Sequence, residues 1–247
     1  MIIIRFFKNY FRGWNWFEYT LLVLVFTVPV TLGLIFKSGI IEILTSIFFV
    51  SSYLMFAKAK VETYYIAFFA YVGYIWLSWS AGLYGEIITT VVLSFPIAVW
   101  AAVSWSRNKQ SDHHKGRVIV INSVRLPELG LLVLSQLVMG IGYFFLLQAL
   151  STQFVIISTI TLAIRVMGNY LDARRNILAP FAYLTYSVFA IILWSLVFAS
   201  GMSGAIVIIA MQCLIMVIDI YASVSWIKLK KRQPVAYAVN RIVQPAN

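Results

Sequence analysis

Long stretches of this chain are apolar on every side. The run TLLVLVFTVPVTLGLIF (20–36) shows neither the two-residue period of a half-buried strand nor the one-sided stripe of a surface helix. A helix rises 1.5 Å per residue, so ~20 apolar residues cross the ~30 Å of bilayer hydrocarbon. Read this way, the pattern predicts eight spans: Phe17–Phe36, Ile40–Phe56, Tyr64–Ser80, Glu86–Ser106, Pro127–Leu150, Phe154–Tyr170, Leu178–Ser200 and Ala205–Ile227. The alternation of a membrane β-barrel is absent, so the expected fold is an all-α integral membrane protein. Only Arg107–Leu126 and the two ends are polar enough to lie in water. Pro29, in mid-run, predicts a kink or a break in the first helix.

Composition supports the same class. The 247 residues are 62% hydrophobic and 11% charged, against about 25% charged in soluble domains. That excludes a cytosolic enzyme, a disordered chain and a disulfide-stapled secreted domain. The single cysteine, Cys213, lies in an apolar run and reads as a small packing residue. The net charge of +11 is topogenic: with the N-terminus inside, every one of the 19 Lys and Arg except Lys37 falls in an inner segment. Both termini are therefore expected in the cytoplasm, with the basic face favouring anionic lipid and no role in nucleic-acid binding. The first run is too long for a signal-peptide core and no small-residue cleavage site follows it. His113 and His114 read as polar loop residues, with no metal site.

Two passages repeat. FAYVGY (69–74) matches FAYLTY (181–186), and WAAVSW (100–105) matches YASVSW (221–226). The matches occupy equivalent places on spans three and seven, and at the inner ends of spans four and eight. The implied units are 38–106 and 151–230, separated by a linking helix at 127–150. Outside the units lie 1–37 (basic N-terminus and an extra first helix), the loop 107–126 and the tail 231–247. Because one span separates two three-helix units, the copies run parallel, a 3+1+3 plan with a path between them. Such symmetry predicts a transporter or channel.

Polar groups inside the bilayer cost about 2.5–3.5 kcal/mol when ionisable, so they mark cavities. Gln212 and Asp219 are seven apart and share one helix face. Tyr183, Tyr186 and Ser187 share a face of span seven, and Tyr71 and Tyr74 the matching face of span three, with Trp76 and Trp79 nearer its outer end. Aromatic rings with hydroxyls suit a planar ring and a sugar. Glu42 near the start of span two joins the candidate binding set, with Asn169 and Trp79 as candidate gates. Glu86 reads as wetted by headgroups; Arg165, one turn before Asn169, is either a second gate or, in the preferred reading, a residue snorkelling to the interface. Pro96, Gly73 and Pro180 are candidate hinges. No catalytic motif, phosphate-binding loop or cofactor motif is present, so the chain reads as neither an enzyme nor an ATPase, and the scarcity of intramembrane acids favours passive transport.

The segments GIIEIL (39–44), GLYGE (82–86), the VSW ending at Trp105, Asp172-Ala173-Arg174-Arg175 and the closing helix through Tyr221 and Trp226 resemble the PnuC family of bacterial vitamin and nucleoside transporters over roughly 38–230. The resemblance implies a core similar to the sugar-transporting SWEET proteins, a homotrimer in the bacterial inner membrane, and facilitated uptake of nicotinamide riboside trapped by a cytoplasmic kinase. Relatives are assigned thiamine, riboflavin or deoxyribonucleosides. The family's substrate helix resembles W-x-x-W-x-x-x-N/D, where this sequence has Pro180, Tyr183 and Ser187. That departure implies an altered pocket.

Overall fold

The computed structural model describes residues 14–112 and 116–233. The basic N-terminal segment, His113, His114 and the tail beyond Gln233 lie outside the described residues. Among these, eight long helices follow one another: α1 (Trp16–Ile35), α2 (Ile40–Ala57), α3 (Glu62–Ser80), α4 (Tyr84–Arg107), α5 (Leu126–Ala149), α6 (Val155–Ala173), α7 (Ala179–Ala199) and α8 (Ala205–Arg232). All but α3 are long and apolar enough to cross a membrane. In α3 the same length is diluted by Glu62, four tyrosines, two tryptophans and two serines. Large apolar side chains such as Leu137, Ile141 and Phe145 on α5 lie more than 60% exposed. In water such a belt would be a large unfavourable patch, whereas lipid is its natural solvent. The chain is a multi-pass membrane protein.

Helix ends explain the short connections. Asn15 and Glu18 form a capping box at the start of α1, each side chain accepting from the other's backbone N–H (2.8 and 2.9 Å). At the end of α2, Ala59 takes a left-handed conformation (φ 56°) and Lys60 N–H donates back to Met55. Arg175 (φ 55°) and Asn176 repeat this after α6, with Asn176 N–H donating to Leu171. These are Schellman closures built without the usual glycine. Pro29 does not break α1, which runs continuously through it. Within α4, a π-helical segment (Thr89–Ser94) precedes Pro96, and α-helical geometry resumes at Phe95. Cys213 is exposed on α8 instead of packed inside, so it faces the lipid side.

The segment expected to be a watery loop is partly structured. Strands β1 (Lys109–Asp112) and β2 (Gly116–Ile119) form an antiparallel hairpin. Val118, Ile119 and Ile121 are buried against the bundle. Ile119 N–H donates to the Ala59 carbonyl (3.1 Å) and Asn122 N–H to that of Arg175 (2.8 Å), so the segment is bonded to both left-handed turns.

Six helices close a ring through the contacts α2·α3, α3·α4, α4·α6, α6·α7, α7·α8 and α8·α2. Helix α5 leans on the outside of α6, and α1 on the outside of α2 and α8. At the hairpin end α1 is fastened by a buried ion pair, Glu18 to Lys58 (2.6 Å), with Tyr221 donating to the other carboxylate oxygen (2.8 Å).

Candidate functional site

The ring encloses a narrow cavity lined by α2, α3, α6, α7 and α8. Its polar wall is one face of α6. Ser158, Thr161, Arg165, Asn169 and Asp172 are spaced by three or four residues, so they stack along one side of the helix, and all five are buried.

Midway along the bundle, Arg165 donates to Glu86 (2.9 Å), which also accepts from Tyr74 (3.0 Å) and Thr161 (3.1 Å). The guanidinium lies 5.0 Å from the Tyr74 ring, 5.8 Å from Tyr186 and 6.0 Å from Tyr71, within cation–π range. A desolvated charge needs this much compensation to persist inside a bilayer. Two sequence expectations are corrected here. Arg165 does not snorkel, because Glu86 on a neighbouring helix offers a full counter-charge. Glu86 is not wetted by headgroups, being completely buried.

Towards the hairpin end a second set closes the cavity. Asp172 accepts from Tyr64 (2.9 Å) and Tyr183 (3.2 Å), and the Tyr183 hydroxyl also reaches Asn169 Oδ1 (3.0 Å). Asn169 in turn donates to Ser94 at the end of the π-helical segment (2.9 Å). The Tyr183 ring meets Tyr53 and Phe56 edge-on at 5.5 and 5.3 Å. Below lies an aromatic plug of Phe56, Trp105 and Trp226, their centroids 4.7 to 6.1 Å apart. Each indole is pinned by its N–H: Trp105 to the Asp172 carbonyl (3.0 Å) and Trp226 to that of Phe56 (3.1 Å).

Of the residues expected from sequence, Tyr71, Tyr74, Tyr183, Tyr186, Gln212 and Asn169 are brought together around the cavity. Gln212 Oε1 is buried with no hydrogen-bond partner, which leaves a desolvated acceptor for a ligand or a water. Ser187 and Asp219 bond to each other (3.2 Å) behind this lining, outside the cavity. Trp76 and Trp79 are corrected outright: both are exposed on the outer side of α3, Trp79 edge-on to Tyr84 (5.7 Å), as interfacial belt residues are. Glu42 sits at the opposite end, its carboxylate beside Gly39 and Gly204.

Sequence reasoning missed Arg165, Glu86, Asp172, Tyr53 and Tyr64 as cavity or network residues. The i, i+4, i+7 spacing of Arg165, Asn169 and Asp172 carried the signal for α6. Nothing local marked Glu86, whose partner is 79 positions away.

Gly168 allows α7 to approach α6 here. A Cβ at this position would stand 2.9 Å from the Tyr183 ring. Gly168→Ala is expected to force that ring aside, at about 1–3 kcal/mol for overpacking. The expected result is a lowered melting temperature and a smaller ligand-induced thermal shift. An unchanged shift would mean that the Tyr183 position is immaterial to binding.

The space in this cavity open to water-sized molecules is about 40 Å³, enough for a few waters and too little for a nucleoside. A buried polar–aromatic chamber inside a ring of membrane helices, with an aromatic plug at one end, is the arrangement of a membrane transporter. The chain belongs to the family described as "Nicotinamide mononucleotide transporter", which matches residues 39–228. Its fold is also that of a solved structure described as "Crystal structure of the Vitamin B3 transporter PnuC", with a TM-score of 0.83 at 16% identity, covering 93% of this chain and 98% of that one. Among curated proteins none matches by sequence.

Proposed function

We propose that this chain carries an unphosphorylated, ring-bearing nucleoside, nicotinamide riboside or a close relative, by facilitated diffusion into the bacterial cell. The observation that carries the choice is the charge of the cavity. Recognition of a phosphate calls for a free guanidinium or ammonium. Among the described lining residues the one basic side chain, Arg165, is already committed to Glu86 and three tyrosine rings. The other charged residue in the lining is the acid Asp172. A mononucleotide would bring negative charge to Asp172 with no free cation to receive it. The pyridinium of nicotinamide riboside instead suits aromatic faces beside a carboxylate. In this reading Tyr71, Tyr74, Tyr183, Tyr186 and Gln212 contact the substrate, with Asn169 and Asp172 forming the inner closure.

The 3+1+3 parallel plan, with α3 as an eighth membrane span, is supported by the ring of contacts. Exchanging α2, α3 and α4 with α6, α7 and α8 maps each contact in the ring onto another. Trp105 and Trp226, paired by the sequence repeat, donate to carbonyls of corresponding turns, at Asp172 and Phe56. Those turns carry the matched left-handed residues Ala59 and Arg175. The basic hairpin end is read as cytoplasmic, in an inner-membrane homotrimer whose cargo a cytoplasmic kinase traps. Deoxyribonucleosides, thiamine or riboflavin are the alternative cargoes.

The test is transport by purified protein in liposomes without ATP or an ion gradient. Labelled nicotinamide riboside is expected to equilibrate, and its mononucleotide to cross at least about ten-fold more slowly. Accumulation above the outside concentration in liposomes lacking a kinase would overturn the passive mechanism, and faster mononucleotide flux would overturn the charge argument.

A further inference from the structure

A second polar cleft, sharing no lining residue with the transport cavity, lies between the start of α1 and the end of α8. The space in it open to water-sized molecules is about 200 Å³, well above the ~10–15 Å³ that admits one water. Tyr221, Ser225, Lys228 and Arg232 line it from one face of α8, at spacings of four, three and four. Asn15, the cap of α1, closes the other side. Two polar residues of its wall are fixed in place: the Tyr221 hydroxyl donates to Glu18 (2.8 Å), and Asn15 Nδ2 donates to the Tyr221 oxygen (3.3 Å).

The nearby acid does not neutralise this cleft. Both Glu18 oxygens are taken, one by Tyr221 and the other by Lys58 and the Asn15 N–H. Among the described residues, neither Lys228 nor Arg232 has an ion-pair partner. Two like charges one turn apart on a helix repel, so a single anion between them would be doubly favourable. Their neighbours behave differently. Lys230 is turned to Ser123, and Lys231 does not line the cleft.

We propose that this cleft binds a phosphate group, as the phosphodiester of an anionic lipid headgroup or as a soluble phosphate, and that the extra helix α1 completes the site. Basic pockets between membrane helices at a lipid surface take headgroups of this kind. The occupant would bridge α1 to α8, adding to the Glu18–Lys58 link.

The test compares the full chain with two double variants of equal charge change, Lys228→Gln/Arg232→Gln and Lys230→Gln/Lys231→Gln. Each is prepared with phosphatidylglycerol in phosphatidylcholine, and retained lipid is measured by native mass spectrometry. A parallel arm titrates inorganic phosphate against protein in phosphatidylcholine alone and reads the melting temperature. The first variant is expected to lose at least about five-fold of the retained phosphatidylglycerol, and the second less than two-fold. A saturable phosphate shift that needs Lys228 and Arg232 would assign the site to soluble phosphate, while lipid retention without that shift assigns it to the headgroup. Equal losses in both variants would reduce the effect to diffuse charge and overturn the site, as would no loss together with no phosphate shift. Should the double variant fold poorly, Arg232→Gln alone is read by the same two measurements.

Discussion

Replacing either Glu86 or Arg165 with Gln is expected to be the most damaging single change in the bundle interior. Each substitution leaves the other charge buried between membrane helices, a situation that costs about 3–5 kcal/mol when one partner of a buried pair is removed. The pair cannot relax outward, since Glu86 is fully buried and Arg165 is 5% exposed. Glu86→Gln would leave the guanidinium with three tyrosine rings, and Arg165→Gln would leave the carboxylate with the Tyr74 and Thr161 hydroxyls. Neither remnant replaces a full counter-charge. Both single variants should show large losses of monodisperse yield and melting temperature in detergent. The double variant should recover much of that loss, because two neutral amides can bond to each other without the cost of a lone charge. A double-mutant cycle measures this coupling directly. Additive losses would mean that the pair is not a unit, and that the cavity is held by apolar packing alone.

This pair also shows what was and was not legible in the chain. Helix position and order follow from hydrophobic runs: a helix stands at each expected run among the described residues, and seven of them are long and apolar enough to cross a membrane. The repeated VSW segments were readable, and their tryptophans make matching bonds. Side chains that act within one helix were partly readable: the tyrosines of α3 and α7 and Gln212 of α8 do gather. What failed was direction around the helix axis. In a membrane bundle both faces are apolar, so periodicity does not separate the lipid side from the core side. Trp76 and Trp79 were placed inward for that reason. Arg165 was assigned to the interface because its counter-charge lies on another helix, at a distance in sequence that no local rule spans. The hairpin was missed because its strands are only four residues long and its apolar residues are covered by the bundle end, which no local pattern shows.

The closure at the hairpin end sets up the second large effect, at Tyr183 and Asp172. Tyr183→Ala removes a ring packed against Tyr53 and Phe56, together with hydroxyl contacts to Asn169 and Asp172, and by analogy with other buried aromatics should cost roughly 3–5 kcal/mol. Transport should fail, but so could folding, so the discriminating variants are Tyr183→Phe and Asp172→Asn. Tyr183→Phe keeps the packing and gives up only the hydroxyl contacts, at about 1 kcal/mol. It should remain folded and, with the closure at the hairpin end loosened, exchange substrate faster. Asp172→Asn keeps an acceptor for Tyr64 while removing the carboxylate charge. If the cavity reads a cationic ring, this variant should bind nicotinamide riboside about ten-fold more weakly, a difference of ~1.4 kcal/mol, while a neutral nucleoside loses little. Thermal-shift titrations with both ligands on the same preparation measure the difference. An equal loss for the two would assign Asp172 to holding Tyr64 and Tyr183 in place and leave the rings alone to select the cargo. That outcome would open the substrate range to neutral nucleosides without disturbing the cavity architecture, since the Glu86–Arg165 pair that spans α4 and α6 does not involve Asp172.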